Sequence, residues 1–154
     1  MKATAKFFFI LNILILIANW GFVIYNYFSL PEIVPTHFGV SGEADGFGDK
    51  KMYFILLGIA TALFVLMNYL SQNPYAPGLN IPDKMRENKD LTALFVQVLN
   101  FFCMVLFVNI SYESFSVALE KQQDLSLFTP ICLGLMFVVM FAFIIYANKQ
   151  KTND

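Results

Sequence analysis

Charge is scarce in this sequence. Ten Lys and Arg, eleven Asp and Glu and one histidine are spread over 154 residues. The charged share is 14%, well below the roughly 25% of ordinary soluble domains. A net charge of -1 provides no basic footprint for nucleic acid. Cysteine is limited to Cys103 and Cys132, each inside an apolar run and without a histidine neighbour. Both read as small buried apolar side chains, so no disulfide or redox role is expected. With one histidine and no HxxxH or CxxC spacing, the chain has no recognisable metal-binding pattern, and no cofactor is expected. It also lacks an internal repeat, which gives no support to an inverted-repeat transporter.

Apolar residues are what the chain has in excess: 58% of the total, eighteen of them phenylalanine, with a mean hydropathy of +0.62. There is too little polar surface to cover such a chain, so lipid is its expected solvent. Four apolar runs, at about 7–30, 52–70, 91–110 and 127–146, can each cross a hydrocarbon core roughly 30 Å thick. The expected fold is an all-α integral membrane protein, one domain over 1–154, with four transmembrane helices and a structured extracytoplasmic loop at 31–51. The first run follows Lys2 and Lys6 as a signal peptide would. It exceeds the usual apolar core of about 7–15 residues and shows no small-x-small cleavage site, so an uncleaved helix is expected. Pro74, Pro77, Gly78 and Pro82 interrupt helix after the second run. Asp83 is placed to cap a short amphipathic helix that runs into the third span. The fourth span has almost no polar residue and should be the most lipid-exposed.

The first three spans carry amides. Asn12, Asn19 and Asn26 are spaced by seven and share one helix face. An amide in lipid needs a partner, and Gln97 and Asn100 on the third span are the natural ones. This set reads either as interhelical glue or as a polar path or solute site. Gly58 and Ala62 would let another backbone approach the second span closely. Orientation follows the basic residues. Lys2, Lys6, Lys84, Arg86, Lys89, Lys149 and Lys151 fall on one side, against Lys50, Lys51 and Lys121 on the other. The first side should be cytoplasmic, with both termini inside and the 31–51 loop outside.

That loop holds His37, the acidic Glu32, Glu43, Asp45 and Asp49, and four of the eight glycines. Pro31 and Pro35 fix φ and the glycines reach positive φ, which together describe a defined loop rather than a linker. Four readings are open. His37 with Glu43, Asp45 and Asp49 could ligate a metal. His37 could act as a general base or a pH sensor, since imidazole changes charge near neutrality. The loop could be structural. In that case Pro31 and Pro35 end the first helix, His37 bonds the backbone of a glycine turn, Asp45-Gly46 forms that turn, and Lys50 or Lys51 anchors the second helix. Finally, Phe38 and Phe47 could supply apolar contacts for a peptide or lipid headgroup.

The order Leu30-Pro31, Pro35-Thr36-His37-Phe38, Gly42-Glu43-Ala44-Asp45-Gly46-Phe47-Gly48 and Lys50 resembles a long family pattern. It is similar to that of a bacterial multi-pass membrane family of unknown function, whose domain forms the amino-terminal part of SdpI-type immunity proteins. Glu87-Asn88 resembles a weaker second signature. The resemblance covers about 7–70 closely and 80–110 loosely; SdpI-type proteins carry a further membrane domain beyond it. It implies a bacterial envelope protein, protective or signalling, acting through its outer loop, with the bilayer and a secreted peptide toxin or another membrane protein as partners. The other classes in view are a small solute or proton transporter subunit, lined by Asn19, Asn26, Gln97 and Asn100, and a membrane enzyme using His37 and Asp45.

Overall fold

A computed structural model describes residues 1–39 and 41–149; Lys151, counted above for orientation, lies outside them. The elements in order are α1 (Lys2–Asn26), a 3-10 turn (Tyr27–Ser29), β1 (Ile33–Phe38), β2 (Ala44–Asp49), α2 (Met52–Gln72), α3 (Asp83–Glu87), α4 (Lys89–Ala118) and α5 (Phe128–Lys149). The molecule is mostly helical. α1 with its 3-10 turn, α2, α4 and α5 are long and apolar enough to cross a membrane.

The four helices form where uninterrupted apolar sequence allows, and Pro or polar clusters separate them. α4 is the central one, packing against α1, α2 and α5. α1 buries only a narrow stripe, Ala5, Asn12, Asn19 and Val23, while Phe7, Ile10, Leu14 and Ile17 point outward. α5 buries only Cys132 and Ala147 among its described side chains. Such wide apolar outer faces suit hydrocarbon and not water.

Two apolar clusters close the ends of the bundle. On the hairpin side, Val23, Leu30, Val34, Tyr53, Leu57 and Phe115 pack together. On the side of the termini, Ile81, Met85, Leu91, Phe95, Val96 and Ala147 do so.

The structure corrects three expectations. The fold is not purely α, because 33–49 forms a two-stranded antiparallel sheet. Pro35 does not help to end α1; it sits within β1, where a two-stranded sheet leaves an edge that tolerates a missing N–H. Asp83 caps nothing: it lies in the first turn of α3 behind Pro82, and Asn88 breaks the chain between α3 and α4. The Asn88 side chain caps α4 instead, accepting from the Leu91 N–H at 3.1 Å.

Candidate functional site

The hairpin is held to the bundle along one face and open along the other. Val34 is fully buried in the cluster with Tyr53 and Phe115. The carbonyl of Pro35 accepts a hydrogen bond from Ser114 Oγ at 3.2 Å, and that hydroxyl also meets Tyr53 Oη at 2.9 Å. At the base, Lys50 Nζ lies 2.9 Å from the Glu32 carboxylate, donates to the Leu30 carbonyl and sits over the Tyr27 ring. The bond to Glu32 raises the Lys50 pKa above its ordinary value. Lys50 is therefore the anchor at the start of α2. Lys51 donates its backbone N–H to Asp49, whose carboxyl pKa is lowered chiefly by that bond.

The turn is not at Asp45-Gly46. Gly39 N–H donates to the Glu43 carbonyl at 2.8 Å, and Gly42 N–H donates to Gly39 at 3.0 Å. Gly42 has φ +95°, a conformation that L side chains seldom adopt. Its carbonyl accepts from Leu125 N–H at 2.9 Å, tying the hairpin tip to the α4–α5 connection. Asp45 and Gly46 lie in β2.

On a regular ladder His37 would face Asp45. Two compensating register shifts pair His37 with Gly46 instead, and the pairing is restored at Phe38 and Ala44. The His37 ring still reaches Asp45, with Nδ1 to Oδ1 at 2.5 Å. Gly46 permits this approach, since a Cβ there would lie 2.8 Å from the His37 Cβ. So His37 pairs with a carboxylate and not with the backbone of a turn. Both residues are exposed, with side chains 73% and 45% accessible. Glu43 bonds the Ser41 hydroxyl, which is the main cause of its lowered pKa. Among the described residues, no three His, Cys, Asp or Glu side chains gather so as to hold a metal ion.

The open side of the hairpin faces the end of α4 and the α4–α5 connection across a cleft of about 830 Å³. Ile33, Phe47 and Pro31 line one wall; Val117, Glu120 and Gln122 line the other, with Glu43 and Asp124 also on the lining. Ile33 and Phe47 are 61% and 63% exposed. Glu120 has φ 57°, closing α4 where glycine is the usual residue. Lys121 N–H then returns to the Ser116 carbonyl and Glu120 N–H to Val117. The connection is fixed further by Glu113, buried at 4%, which accepts from Ser126 N–H and Oγ. Under β1, on the bundle side, a smaller apolar groove of about 160 Å³ involves Phe38, Met52, Ile55 and Ile110.

The polar set of the apolar helices divides. Asn12 donates from Nδ2 to both the Gln97 carbonyl and Oε1, each at 3.1 Å. Gln97 donates in turn to Asn68 and Ser71 on α2. Asn26 turns back to the Phe22 carbonyl of its own helix. Asn19 and Asn100, both buried, have amides with no hydrogen-bond partner among the described residues.

Sequence reasoning overlooked Tyr53, Ser111, Glu113 and Ser114. The signal was present for two of them. Ser111 follows Gln97 by fourteen residues and Ser114 follows Ser111 by three, the spacing that places residues on one helical face.

Residues 14–69, from mid-α1 through the hairpin to α2, match the model of a domain of unknown function, DUF1648. The chain is also similar to an uncharacterised protein of Archaeoglobus fulgidus, 29% identical over 162 aligned residues that cover 94% of this chain and 88% of that protein. No solved structure matches it. These likenesses support a membrane family of unknown function.

Proposed function

We propose that this is a four-span cell-membrane protein, its termini cytoplasmic and its hairpin outside, with a protective, immunity-like or signalling role exerted through that hairpin. One observation carries the reading. The hairpin spends Val34, the Pro35 carbonyl and Lys50 on attachment, yet keeps His37–Asp45, Ile33 and Phe47 exposed on a fixed backbone. An ordered surface that combines apolar side chains with an exposed imidazole–carboxyl hydrogen bond suits recognition of a peptide or of another membrane protein. The resemblance of the motif to SdpI-type immunity proteins supports the same role, and the weight of basic residues on the opposite side supports the orientation.

The test is survival of cells with and without the protein under a panel of peptide toxins and envelope stresses, comparing wild type with His37→Ala and Asp45→Ala at matched membrane levels. Protection by wild type that either variant loses is expected. Equal protection by wild type and both variants, or no protection by wild type across the panel, would contradict the proposal. A second reading, a small solute or proton transporter subunit, draws on the buried amides of α1 and α4. It predicts that flux in liposomes depends on Asn19 and Asn100 and not on His37.

A further inference from the structure

Away from the hairpin, α1 and α4 carry buried polar side chains. Asn12, Asn19, Gln97, Asn100 and Ser111 are each 3% exposed or less. At the level of Asn12 and Gln97 the seam is largely paired, and Gln97 passes the hydrogen bonds on to Asn68 and Ser71. Beyond that level the pairing stops. Among the described residues, Asn12 Oδ1, both amide atoms of Asn19, both of Asn100 and Ser111 Oγ have no partner. From Gln97 to Ser111 is fourteen residues, a rise of about 21 Å in a helix. That is most of a hydrocarbon core roughly 30 Å thick.

A buried amide without a partner loses its bonds to water and gains none in return. Surrounding lipid offers no hydrogen bonds in return. Four buried residues on two helices that pack together share this condition, so a common ligand is the economical explanation. Its chemistry follows from the side chains. An amide offers both donor and acceptor, and a hydroxyl does the same. No Asp, Glu, Lys, Arg or His occurs from Phe7 to Asn26 in α1, from Leu91 to Tyr112 in α4, or anywhere in α2. An ion would therefore meet no counter-charge while losing its hydration. A small neutral molecule that donates and accepts fits, and water is the smallest.

We propose that the α1–α4 seam is an internal water site, with water held in the membrane domain by Asn12, Asn19 and Asn100 and bonded further along by Ser111. This rests on the side chains of the bundle and is independent of the hairpin proposal.

The experiment is magnetisation transfer from water to the side-chain amides of the full chain, labelled with ¹⁵N-asparagine and held in lipid nanodiscs. Asn19→Gln and Asn100→Gln identify their resonances by loss of one signal pair each. Should either variant fail to accumulate, sequential assignment of the wild type serves instead. Water cross-peaks to both amides, with the sign of long-lived rather than bulk water, are expected. Amides that show transfer only from each other or from apolar protons, with no water cross-peak, would overturn the proposal.

Discussion

At the scale of single residues, the hairpin depends on small distances. Gly46 is the sharpest case: alanine there would place its Cβ 2.8 Å from His37 Cβ. Gly46→Ala should destabilise the hairpin by about 1–3 kcal/mol, the usual cost of overpacking. Faster cleavage by protease within 33–49, with the helices intact, would show it. Two carboxylates give a second prediction. Asp49, through the Lys51 N–H, and Glu43, through the Ser41 hydroxyl, have pKa values lowered from 3.8 and 4.5. A carboxyl depressed by folding contributes stability above its ordinary pKa and loses it as pH falls through the folded value. Carboxyl ¹³C shifts should therefore titrate below 3.8 and 4.5 respectively, with pepsin sensitivity of the hairpin rising only as those titrations proceed. Titration at or above the ordinary values would contradict the hydrogen bonding described.

At the scale of elements, the helices were legible because hydrophobic run length is a direct physical requirement of crossing lipid. The hairpin was legible only as an ordered loop. Its strands are short and interrupted by Pro35, Gly46 and Gly48, and their sequences show no apolar–polar alternation, although β2 alternates in burial. Asp45-Gly46 is a strong local turn signal, yet the turn lies around Gly42, where the chain is tied to Leu125, more than eighty residues later. No local pattern announces that contact. The amide stripe was legible through its spacing of seven, and the Asn12–Gln97 contact followed from it. The unpaired state of Asn19 and Asn100 did not, because it depends on the relative height of two helices. Gln97 is the hub of the paired portion, so Gln97→Ala should lower stability by about 1–2 kcal/mol, within the range of intramembrane hydrogen bonds. Asn26→Ala should cost less, since Asn26 bonds only its own helix. Thermal unfolding of the two variants in the same detergent checks the order.

At the scale of the whole molecule, α4 supports both features: its central part carries the polar seam and its far end carries Ser114, Glu113 and the fixed connection to α5. The hairpin and the α4–α5 connection thus lie at one end of the bundle; the α1 start, α3 and the α5 end lie at the other, where Lys84 Nζ donates to the Asn148 carbonyl and Lys2 Nζ lies 4.0 Å from the Asp90 carboxylate. Recognition through the hairpin requires this arrangement to lie across a membrane with the hairpin outward. The most direct measurement is thiol labelling of Phe47→Cys, at an exposed hairpin position, in a background carrying Cys103→Ser and Cys132→Ser. A membrane-impermeant maleimide should label it in intact cells, while a cysteine replacing Lys84 reacts only after the membrane is opened. Labelling of position 47 only after permeabilisation, or of both positions in intact cells, would contradict the account.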